Sequence, residues 1–250
     1  MHSINRLDGL SAGQNLAGHV ALITGGSRGI GKAIACKLGQ LGAAVSICAR
    51  NAPALEKTAA ELSAAGARVR SQKVDVTKAP EVAALVEATE KELGPITILV
   101  NNAGIGGPGF GPVHEKSEDD WQRVLDTNLK SVFLVSKAVA PLMIARRRGD
   151  IINISSLAGK NTFAGGGIYC ASKWGLQGLA GCMAEDLRGF GIRVSLICPG
   201  SVATEFSGRT LKDPARVLTP ADVAHAVSVL VLQGPQSFIS EVQLRPVAKP

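Results

Sequence analysis

Aromatic residues are scarce in this chain, whose 250 residues include only two Trp, one Tyr and six Phe. Long apolar runs are missing as well, because none approaches the roughly 18 residues that a membrane-spanning helix needs. The first residues, MHSINRLDGLSAGQNLAGH, lack the apolar stretch of a secretory signal peptide. Yet 46% of the residues are hydrophobic, which is enough for a large core and excludes global disorder. We predict a soluble, cytoplasmic protein with no membrane partner.

Cysteine and histidine show neither disulfide nor metal-ligand spacing. The five cysteines are an odd number without a CxxC pair, and the four histidines lie far apart. This pattern favours neither a disulfide framework nor a zinc site, so no metal is predicted. Free thiols, buried in a protein of a reducing compartment, are the expected state.

Acidic residues are outnumbered by basic ones, and the formal net charge is +7. The one dense basic run, Arg146 to Arg148, precedes Gly149 and is typical of the last turn of a helix, where cations offset the helix dipole. An anionic partner is the alternative interpretation of this run. The chain has no recognisable nucleic-acid-binding motif and few aromatics to stack on bases, so no nucleic-acid partner is predicted.

Short β-branched runs alternate with longer segments of helical periodicity. Because parallel strands need crossover connections, this alternation predicts an α/β fold, a doubly wound Rossmann-type parallel sheet with helices on both faces. No repeat or linker divides the chain, so residues 1–250 are predicted to form a single domain with a loose N-terminal arm at 1–17. The predicted strands are Val20–Thr24, Val45–Cys48, Val69–Val76, Ile96–Val100, Ile151–Ile154, Val194–Ile197 and Phe238–Leu244.

Several predicted helices carry their own start and stop signals. Asn51 followed by Pro53 is typical of a helix start, and Gly66 is typical of its end. Thr219, with Asp222 three residues later, predicts another helix start.

A glycine-rich turn, TGGSRGIG at 24–31, joins the first predicted strand to a helix. Gly25, Gly29 and Gly31 allow a tight turn and a close approach of the backbone to a ligand. The helix N-terminus behind them offers unpaired N–H groups to a pyrophosphate. The spacing is GxxxGxG rather than GxGxxG, and glycines also mark ordinary loops, but the position between strand and helix favours a nucleotide site.

The second predicted strand ends without the acidic residue that would bind a free ribose 2′-hydroxyl about 20 residues beyond such a turn. Arg50 occupies this place, and Arg28 lies within the glycine turn. Two cations suit a 2′-phosphate, so NADP(H) is predicted and NAD(H) is disfavoured. The alternative is that either arginine is simply exposed to solvent.

Tyr169 and Lys173 are four residues apart in a predicted helix, so they lie on one face, one turn apart. Lowering a tyrosine pKa from about 10 to about 7 requires roughly 4 kcal/mol in favour of the anion. A cation about 5 Å away at an effective dielectric of about 20 supplies about 3 kcal/mol. Lysine is therefore the right kind of group to activate the tyrosine, although such pairs are often merely structural.

The ordered motifs of this chain resemble those of the short-chain dehydrogenase/reductases over about residues 18 to 232. Each motif is modest alone, but together, in this order and spacing, they are highly specific. They are TGGSRGIG at 24–31, Asp75-Val76, the NNAG of Asn101 to Gly104, Asn128, Ser156 with Tyr169 and Lys173, and Pro199-Gly200.

The resemblance implies roles for four catalytic residues. Tyr169 would donate the proton in reduction and accept it in oxidation. Ser156, rather than Ser155, would hydrogen-bond the substrate oxygen. Lys173 would lower the pKa of Tyr169 and bind the nicotinamide ribose. Asn128 would hold a water that links the lysine to a proton relay, and a capping or turn contact is the alternative for this asparagine.

The resemblance also implies the residues that hold the cofactor. Asp75 would meet the adenine amino group beside Val76, and Asn101 with its neighbours would line the adenosine and ribose. Pro199 and Gly200 would border the nicotinamide. The full predicted set is Gly25, Ser27, Arg28, Gly29, Ile30, Gly31, Arg50, Asp75, Val76, Asn102, Ala103, Gly104, Tyr169, Lys173, Pro199, Gly200, Val202 and Thr204.

Three segments either depart from the family's sequence or leave the identity of the substrate open. The predicted substrate lid, 201–218, shows no distinctive binding group, and the glycine-rich insert 105–114 is a candidate to move over the pocket. The ending FISEVQLRPVAKP lacks the Asp-Gly-Gly common in the family, which puts the most familiar tetramer packing in doubt. A homodimer or homotetramer is still predicted.

The resemblance therefore implies an NADP(H)-dependent oxidoreductase acting on a small-molecule carbonyl or secondary alcohol. Reductases of 3-oxoacyl thioesters and of small ketones, sugars or steroids are the candidates. The alternative is a non-catalytic NADP-binding sensor or scaffold, since a fold alone does not determine function.

Overall fold

A computed structural model describes residues 15–207 and 216–248 of the chain. The predicted arm 1–17 lies mostly outside the described residues, as do residues 208–215 of the predicted lid. Leu16, near the end of that arm, is buried and donates its backbone N–H to Leu41 O over 2.6 Å.

The described residues form one seven-stranded sheet in the order β3-β2-β1-β4-β5-β6-β7. Every neighbouring pair of strands is parallel, which confirms the predicted fold class. The strands are β1 Val20–Thr24, β2 Ala44–Ala49, β3 Val69–Lys73, β4 Ile96–Asn101, β5 Gly149–Ile154, β6 Ile192–Pro199 and β7 Glu241–Leu244.

Helices cover both faces of this sheet. A π-helical turn at Asp126–Lys130, which the sequence does not predict, joins α4 to α5. The helices are α1 Gly29–Gln40, α2 Ala52–Ala64, α3 Ala79–Leu93, α4 Glu118–Leu125, α5 Ser131–Arg146, α6 Gly167–Arg188 and α7 Pro220–Val231.

The apolar core is divided by the sheet into two clusters. One cluster packs α3, α5 and α6 against the sheet, with Val82, Val135 and Leu176 among its buried members. The other packs α1, α2 and α7 against the opposite face, where Ile34 and Val227 are fully buried. Strands covered on both faces consist mainly of apolar residues, and all residues of β1, β4 and β5 are buried, including Asp150 of β5.

Two strand predictions need correction at their ends. The third strand was predicted to continue to Val76 but ends at Lys73. The last strand was predicted from Phe238 but begins at Glu241. Both strands lie at an edge of the sheet and pair with only one neighbouring strand. The apolar residues that follow β3 and precede β7 in the sequence therefore have no strand on a second side to keep them in the sheet.

The helix signals act as predicted. Asn51 accepts a hydrogen bond from Ala54 N over 3.0 Å, and Thr219 forms a reciprocal capping box with Asp222. The basic run does end α5: Arg146 pairs with Glu90, and Arg147 takes the left-handed conformation with φ of 52°.

One helical stretch, Glu118–Arg146, is long and apolar enough to cross a membrane by length and composition alone. The sequence has no uninterrupted apolar run of this length, whereas this stretch meets the criterion by its mean hydropathy. Val132, Val135 and Val139 of the stretch pack in the core cluster of α3, α5 and α6. Such a stretch is weak support for a membrane span, because core helices meet the same criterion.

Candidate active site

The described residues form a large cleft at the carboxyl ends of the strands. Its volume is about 1700 Å³, and it extends from the glycine turn after β1 to the residues that follow β5, β6 and β7. The strand order reverses at β1, which lies between β2 and β4, and ligands of open α/β sheets bind at such a point. The cleft exceeds the roughly 300–1,000 Å³ of an ordinary small-molecule site, so it has room for a dinucleotide together with a second ligand.

The glycine turn is shaped for close approach. Gly25 and Gly29 have φ of 67° and 54°, in the left-handed region that favours glycine. A Cβ on Gly31 would lie 2.2 Å from the carbonyl oxygen of Gly25, so no side chain fits there. No side chain caps the N-terminus of α1 at Arg28, which leaves its backbone donors directed at the cleft. These features fit a pyrophosphate.

Thr24 and Asn102 tie the glycine turn to the end of β4. The Asn102 amide donates to Thr24 O over 2.9 Å and to Gly25 O over 3.2 Å. The Thr24 hydroxyl in turn accepts from Asn102 N and Ala103 N, each over 3.0 Å. Thr24 was not among the predicted site residues, although its place at the start of the glycine motif was visible in the sequence.

The predicted 2′-phosphate residues are both at the cleft, but they differ in their partners. Arg50 is exposed directly after β2. Arg28 forms an ion pair with Glu205, in the turn Glu205–Ser207 of the predicted lid. Both partners are largely exposed, so this contact is weak and salt-sensitive.

Asp75 lines the cleft after β3 and is held as an anion. Burial raises its pKa, but hydrogen bonds from the backbone N–H and hydroxyl of Thr77 and the charge of Arg50 outweigh burial, so the pKa is lowered. A carboxylate is the form that would accept a hydrogen bond from an amino group.

Tyr169 is buried near the start of α6, beside Ser156. Burial raises the pKa of Tyr169 to about 12, although a hydrogen bond with Ser156 acts in the opposite direction. The predicted lowering of this pKa is therefore wrong for this structure. Moving the phenolate out of water costs more free energy than the hydrogen bond with Ser156 provides.

Lys173 lies one turn further along α6, and its Nζ is 5.9 Å from the centroid of the Tyr169 ring. The ammonium donates to Ile154 O at the end of β5 over 3.1 Å. Burial lowers the pKa of Lys173 to about 8. The pair shares one helix face as predicted, but burial acts on both groups and favours their neutral forms.

Asn128 lies in the π-helical turn, and its amide links two other elements. Its Oδ1 accepts from Ile105 N over 2.8 Å, and its Nδ2 donates to Ile105 O over 2.9 Å and to Ser172 Oγ over 3.1 Å. The side chain thus joins the loop after β4 to α6. These partners lie outside its own segment, so the alternative of a local cap or turn contact does not describe it.

The two neighbouring serines after β5 have different surroundings. Ser155 is buried, and its hydroxyl accepts from Gln177 Nε2 over 3.0 Å, while Ser156 caps the short turn Leu157–Gly159 and contacts Tyr169. The geometry agrees with the choice of Ser156 over Ser155. Gln177, one turn beyond Lys173 on α6, was not predicted and carries no motif signal.

Two phenylalanines contact the Tyr169 ring, and a third packs against one of them. Phe110 lies 5.2 Å and Phe206 lies 6.0 Å from Tyr169 between ring centroids, and Phe163 lies 6.2 Å from Phe110. None was predicted as a site residue. Phe206 belongs to the predicted lid and Phe110 to the insert 105–114, and only the fold brings these two segments to Tyr169.

Nearly all of the predicted site residues line the cleft. Asn101 is the first exception, because its amide is buried and donates to Ser136 Oγ and to Asn153 Oδ1 instead. Asn128 is the second, since it lies behind the cleft wall. The predicted residues that line the cleft are Gly25, Ser27, Arg28, Gly29, Ile30, Gly31, Arg50, Asp75, Val76, Asn102, Ala103, Gly104, Ser156, Tyr169, Lys173, Pro199, Gly200, Val202 and Thr204.

Known proteins of one family are similar to this chain in sequence and in architecture. The sequence profile of the short chain dehydrogenase family matches residues 19–215. The 3-oxoacyl-[acyl-carrier-protein] reductase of Synechocystis is 35% identical over 90% of this chain and 94% of its own length. Glycine betaine reductase ATRR of Emericella nidulans is 36% identical over 94% of this chain, which spans only 19% of that longer protein.

A solved structure with a bound cofactor is also similar. It is a metagenomic short-chain oxidoreductase in complex with NADP, 46% identical in sequence, with a TM-score of 0.83. The alignment covers 93% of this chain and 99% of the other.

Proposed function

Because the chain belongs to the short-chain dehydrogenase/reductase family, we propose that it is an NADP(H)-dependent oxidoreductase that interconverts a carbonyl and a secondary alcohol. One observation carries the proposal. Tyr169, in contact with Ser156 and one turn from Lys173, lies in the same cleft as a glycine turn built for a pyrophosphate. Family membership supports the reaction class, and the residues of the cleft support the assignment of roles.

The residues of the cleft fit a dinucleotide along its whole length. Gly25 to Gly31 would hold the pyrophosphate, and Asp75 and Val76 would flank the adenine. Pro199, the last residue of β6, and Gly200 would border the nicotinamide. When bound, the nicotinamide supplies or accepts the hydride.

Tyr169 would hold the proton that the reaction moves. With its pKa raised to about 12, its hydroxyl stays protonated at neutral pH and can donate to a carbonyl oxygen. Ser156 would hydrogen-bond the same oxygen as negative charge develops on it. Lys173, cationic below its pKa of about 8, would stabilise the phenolate that the proton transfer leaves behind. This arrangement favours carbonyl reduction at neutral pH.

Two cations support a preference for the 2′-phosphate. Arg50 follows β2, where a carboxylate would serve a free ribose hydroxyl. Arg28 can reach the cleft but is held by Glu205, so a phosphate would compete with that carboxylate for it. Arg50 is therefore assigned the main 2′-phosphate contact and Arg28 a secondary one.

The alternative of a non-catalytic NADP-binding sensor is not favoured, because such a protein would not need Ser156, Tyr169 and Lys173 together in one cleft. A panel of ketones, aldehydes and 3-oxoacyl thioesters, with NADPH and NADH in parallel, separates the two functions. We expect loss of NADPH absorbance with at least one carbonyl. Cofactor binding without turnover of any carbonyl would favour the sensor.

We further propose that the chain is cytoplasmic and associates with itself as a dimer or tetramer. All five cysteines are free, as suits a reducing compartment. A shallow apolar groove between the π-helical turn, α5 and α6 is lined by Leu129, Phe133 and Leu179, and Phe133 is half-exposed. A second copy would cover such a surface.

A further inference from the structure

Four of the nine aromatic residues of the chain line the cleft. Three are Phe110, Phe163 and Phe206, hereafter the aromatic wall: Phe110 and Phe206 contact the single Tyr, and Phe163 packs against Phe110. They come from three segments: the insert after β4, the loop before α6 and the turn after β6. Residues so distant in sequence meet only because the fold brings these segments over the Tyr169 ring.

Glycines allow the aromatic wall to form. A Cβ on Gly106 would lie 2.6 Å from Phe206 and 2.9 Å from Phe110, and a Cβ on Gly166 would lie 2.7 Å from Phe163. Any side chain at either position would displace the rings. The glycines of the insert 105–114 led to the prediction that it moves over the pocket. In the structure, Gly106 of this insert leaves space for the rings of Phe110 and Phe206.

The aromatic wall keeps open surface in the cleft. All three residues line the cleft, and Phe163 is 49% and Phe206 38% exposed. Most charged residues of the cleft lie elsewhere along it or are already engaged. Arg50 and Asp75 follow β2 and β3, Arg28 pairs with Glu205, and Lys173 is buried beside Tyr169. Arg245, after β7, also lines the cleft.

We infer that the substrate is a carbonyl, or the matching alcohol, whose reacting carbon bears a flat aryl group. This inference rests on the proposed function and names its substrate class. With the reacting oxygen at Tyr169 and Ser156, the substituent on the reacting carbon meets the aromatic wall. Aryl rings stack or pack edge-to-face on such rings, and this contact adds to the burial of apolar area that saturated groups share.

The test compares ketones that differ in size, flatness and polarity, with acetophenone and cyclohexyl methyl ketone as the pair of matched size. Acetophenone, cyclohexyl methyl ketone, dihydroxyacetone and acetoacetyl-CoA are offered to the full chain with NADPH. We expect kcat/KM for acetophenone to exceed that for cyclohexyl methyl ketone by about tenfold, the factor that about 1.4 kcal/mol of ring contact gives. Equal or better turnover of cyclohexyl methyl ketone, dihydroxyacetone or acetoacetyl-CoA would overturn the inference.

Leucine variants test the wall itself. Phe163→Leu and Phe206→Leu keep an apolar side chain but remove the ring, and we expect each to lower kcat/KM for acetophenone about threefold to tenfold. Turnover of cyclohexyl methyl ketone should fall by a smaller factor, because leucine keeps an apolar contact but not the ring. Phe190→Leu is the matched control, because Phe190 is 39% exposed, follows α6 and is not part of the cleft. Equal losses for both ketones would contradict the assignment.

A binding measurement gives a readout that does not depend on turnover. The Tyr169→Phe variant loaded with NADPH is titrated calorimetrically with acetophenone and with cyclohexyl methyl ketone. Tighter binding of acetophenone, lost in the double variant with Phe206→Leu, supports the inference, and equal affinities overturn it. The proposed function fails separately, if no carbonyl in the panel consumes NADPH although NADPH binds.

Discussion

At the scale of single residues, burial controls the chemistry of the candidate site. It raises the pKa of Tyr169 to about 12 and lowers that of Lys173 to about 8, because a low-dielectric surrounding disfavours both charged forms. The phenol therefore carries its proton throughout the neutral range. The ammonium is the group of this pair that titrates close to physiological pH.

The assignment of Tyr169 is tested by removal of one oxygen. Tyr169→Phe is expected to reduce turnover by at least about a thousandfold, since both the proton donor and a hydrogen bond to the substrate oxygen are lost. Cofactor affinity should change little. The initial rate of NADPH oxidation measures turnover, and fluorescence titration with NADPH measures cofactor affinity. Near-normal turnover in the variant would show that another group donates the proton.

The pH dependence follows from the same two groups. In reduction Tyr169 must be protonated and Lys173 charged, so kcat is expected to be level below about pH 8 and to fall above it as Lys173 loses its proton. Lys173→Arg, if it retains activity, should move the decline to higher pH, because guanidinium stays charged. A kcat for reduction that rises above pH 8 would contradict this assignment.

Glu205 is expected to limit cofactor affinity through Arg28. Glu205→Gln frees the guanidinium and should tighten NADPH binding by up to about fivefold at low salt, the factor that an exposed ion pair of at most about 1 kcal/mol gives. NADH binding should stay the same. Glu185→Gln, which breaks the similarly exposed pair with Arg188, is the control. A Glu205→Gln effect shared by both cofactors would argue against a phosphate contact at Arg28.

At the scale of elements, β5 and β6 are joined by a charge pair as well as by their backbone ladder. Asp150 and Arg193 are direct neighbours in the parallel register, and Arg193 Nε and Nη2 donate to the carboxylate over 2.6 and 3.0 Å. Burial raises the pKa of Asp150 more than Arg193 lowers it. The carboxylate therefore depends on its partner to remain charged inside the fold.

Arg193→Leu is expected to lower the free energy of unfolding by about 3 kcal/mol at neutral pH, because it leaves a buried carboxylate unpaired. The loss should shrink as the pH falls, since protonation removes the unpaired charge from the folded state. Urea denaturation at pH 7 and at about pH 5 measures it. Adding Asp150→Asn to the variant should recover part of the stability, and no recovery would show that the guanidinium acts through packing.

At the scale of the whole molecule, apolar surface remains outside the two core clusters. Phe133 and Trp174 are about half-exposed on α5 and α6, near the groove that Leu129 and Leu179 line. Single exposed apolar residues are common, but several large ones on adjacent helices mark an interaction surface. This is the basis of the proposed self-association.

Light scattering after size exclusion is expected to give the mass of a dimer or tetramer. Phe133→Asp and Trp174→Asp should lower that mass, because each would bury a charge in the interface. Phe190→Asp, at the far end of α6, should leave it unchanged. A monomer for the unaltered chain at micromolar concentration would end the proposal.

Local patterns in the sequence were sufficient for the architecture and for the glycine turn, whereas most other cleft residues were named by the resemblance to the family. Seven β-branched runs predicted seven parallel strands, and the four-residue spacing of Tyr169 and Lys173 placed both on one helix face in the cleft. Each of these signals depends on residues within one turn, one strand or one strand–helix unit. Short-range geometry alone relates them to structure.

Tertiary structure decided what depends on residues far apart in the chain. The partners of Asn128, the pairing of Arg28 with Glu205 and the contacts of Phe110 and Phe206 with Tyr169 each join separate segments. The direction of the Tyr169 pKa shift belongs here too, because burial is a sum over all surrounding elements. The spacing of residues along the sequence indicates neither their long-range contacts nor their burial, because both arise only when the chain folds.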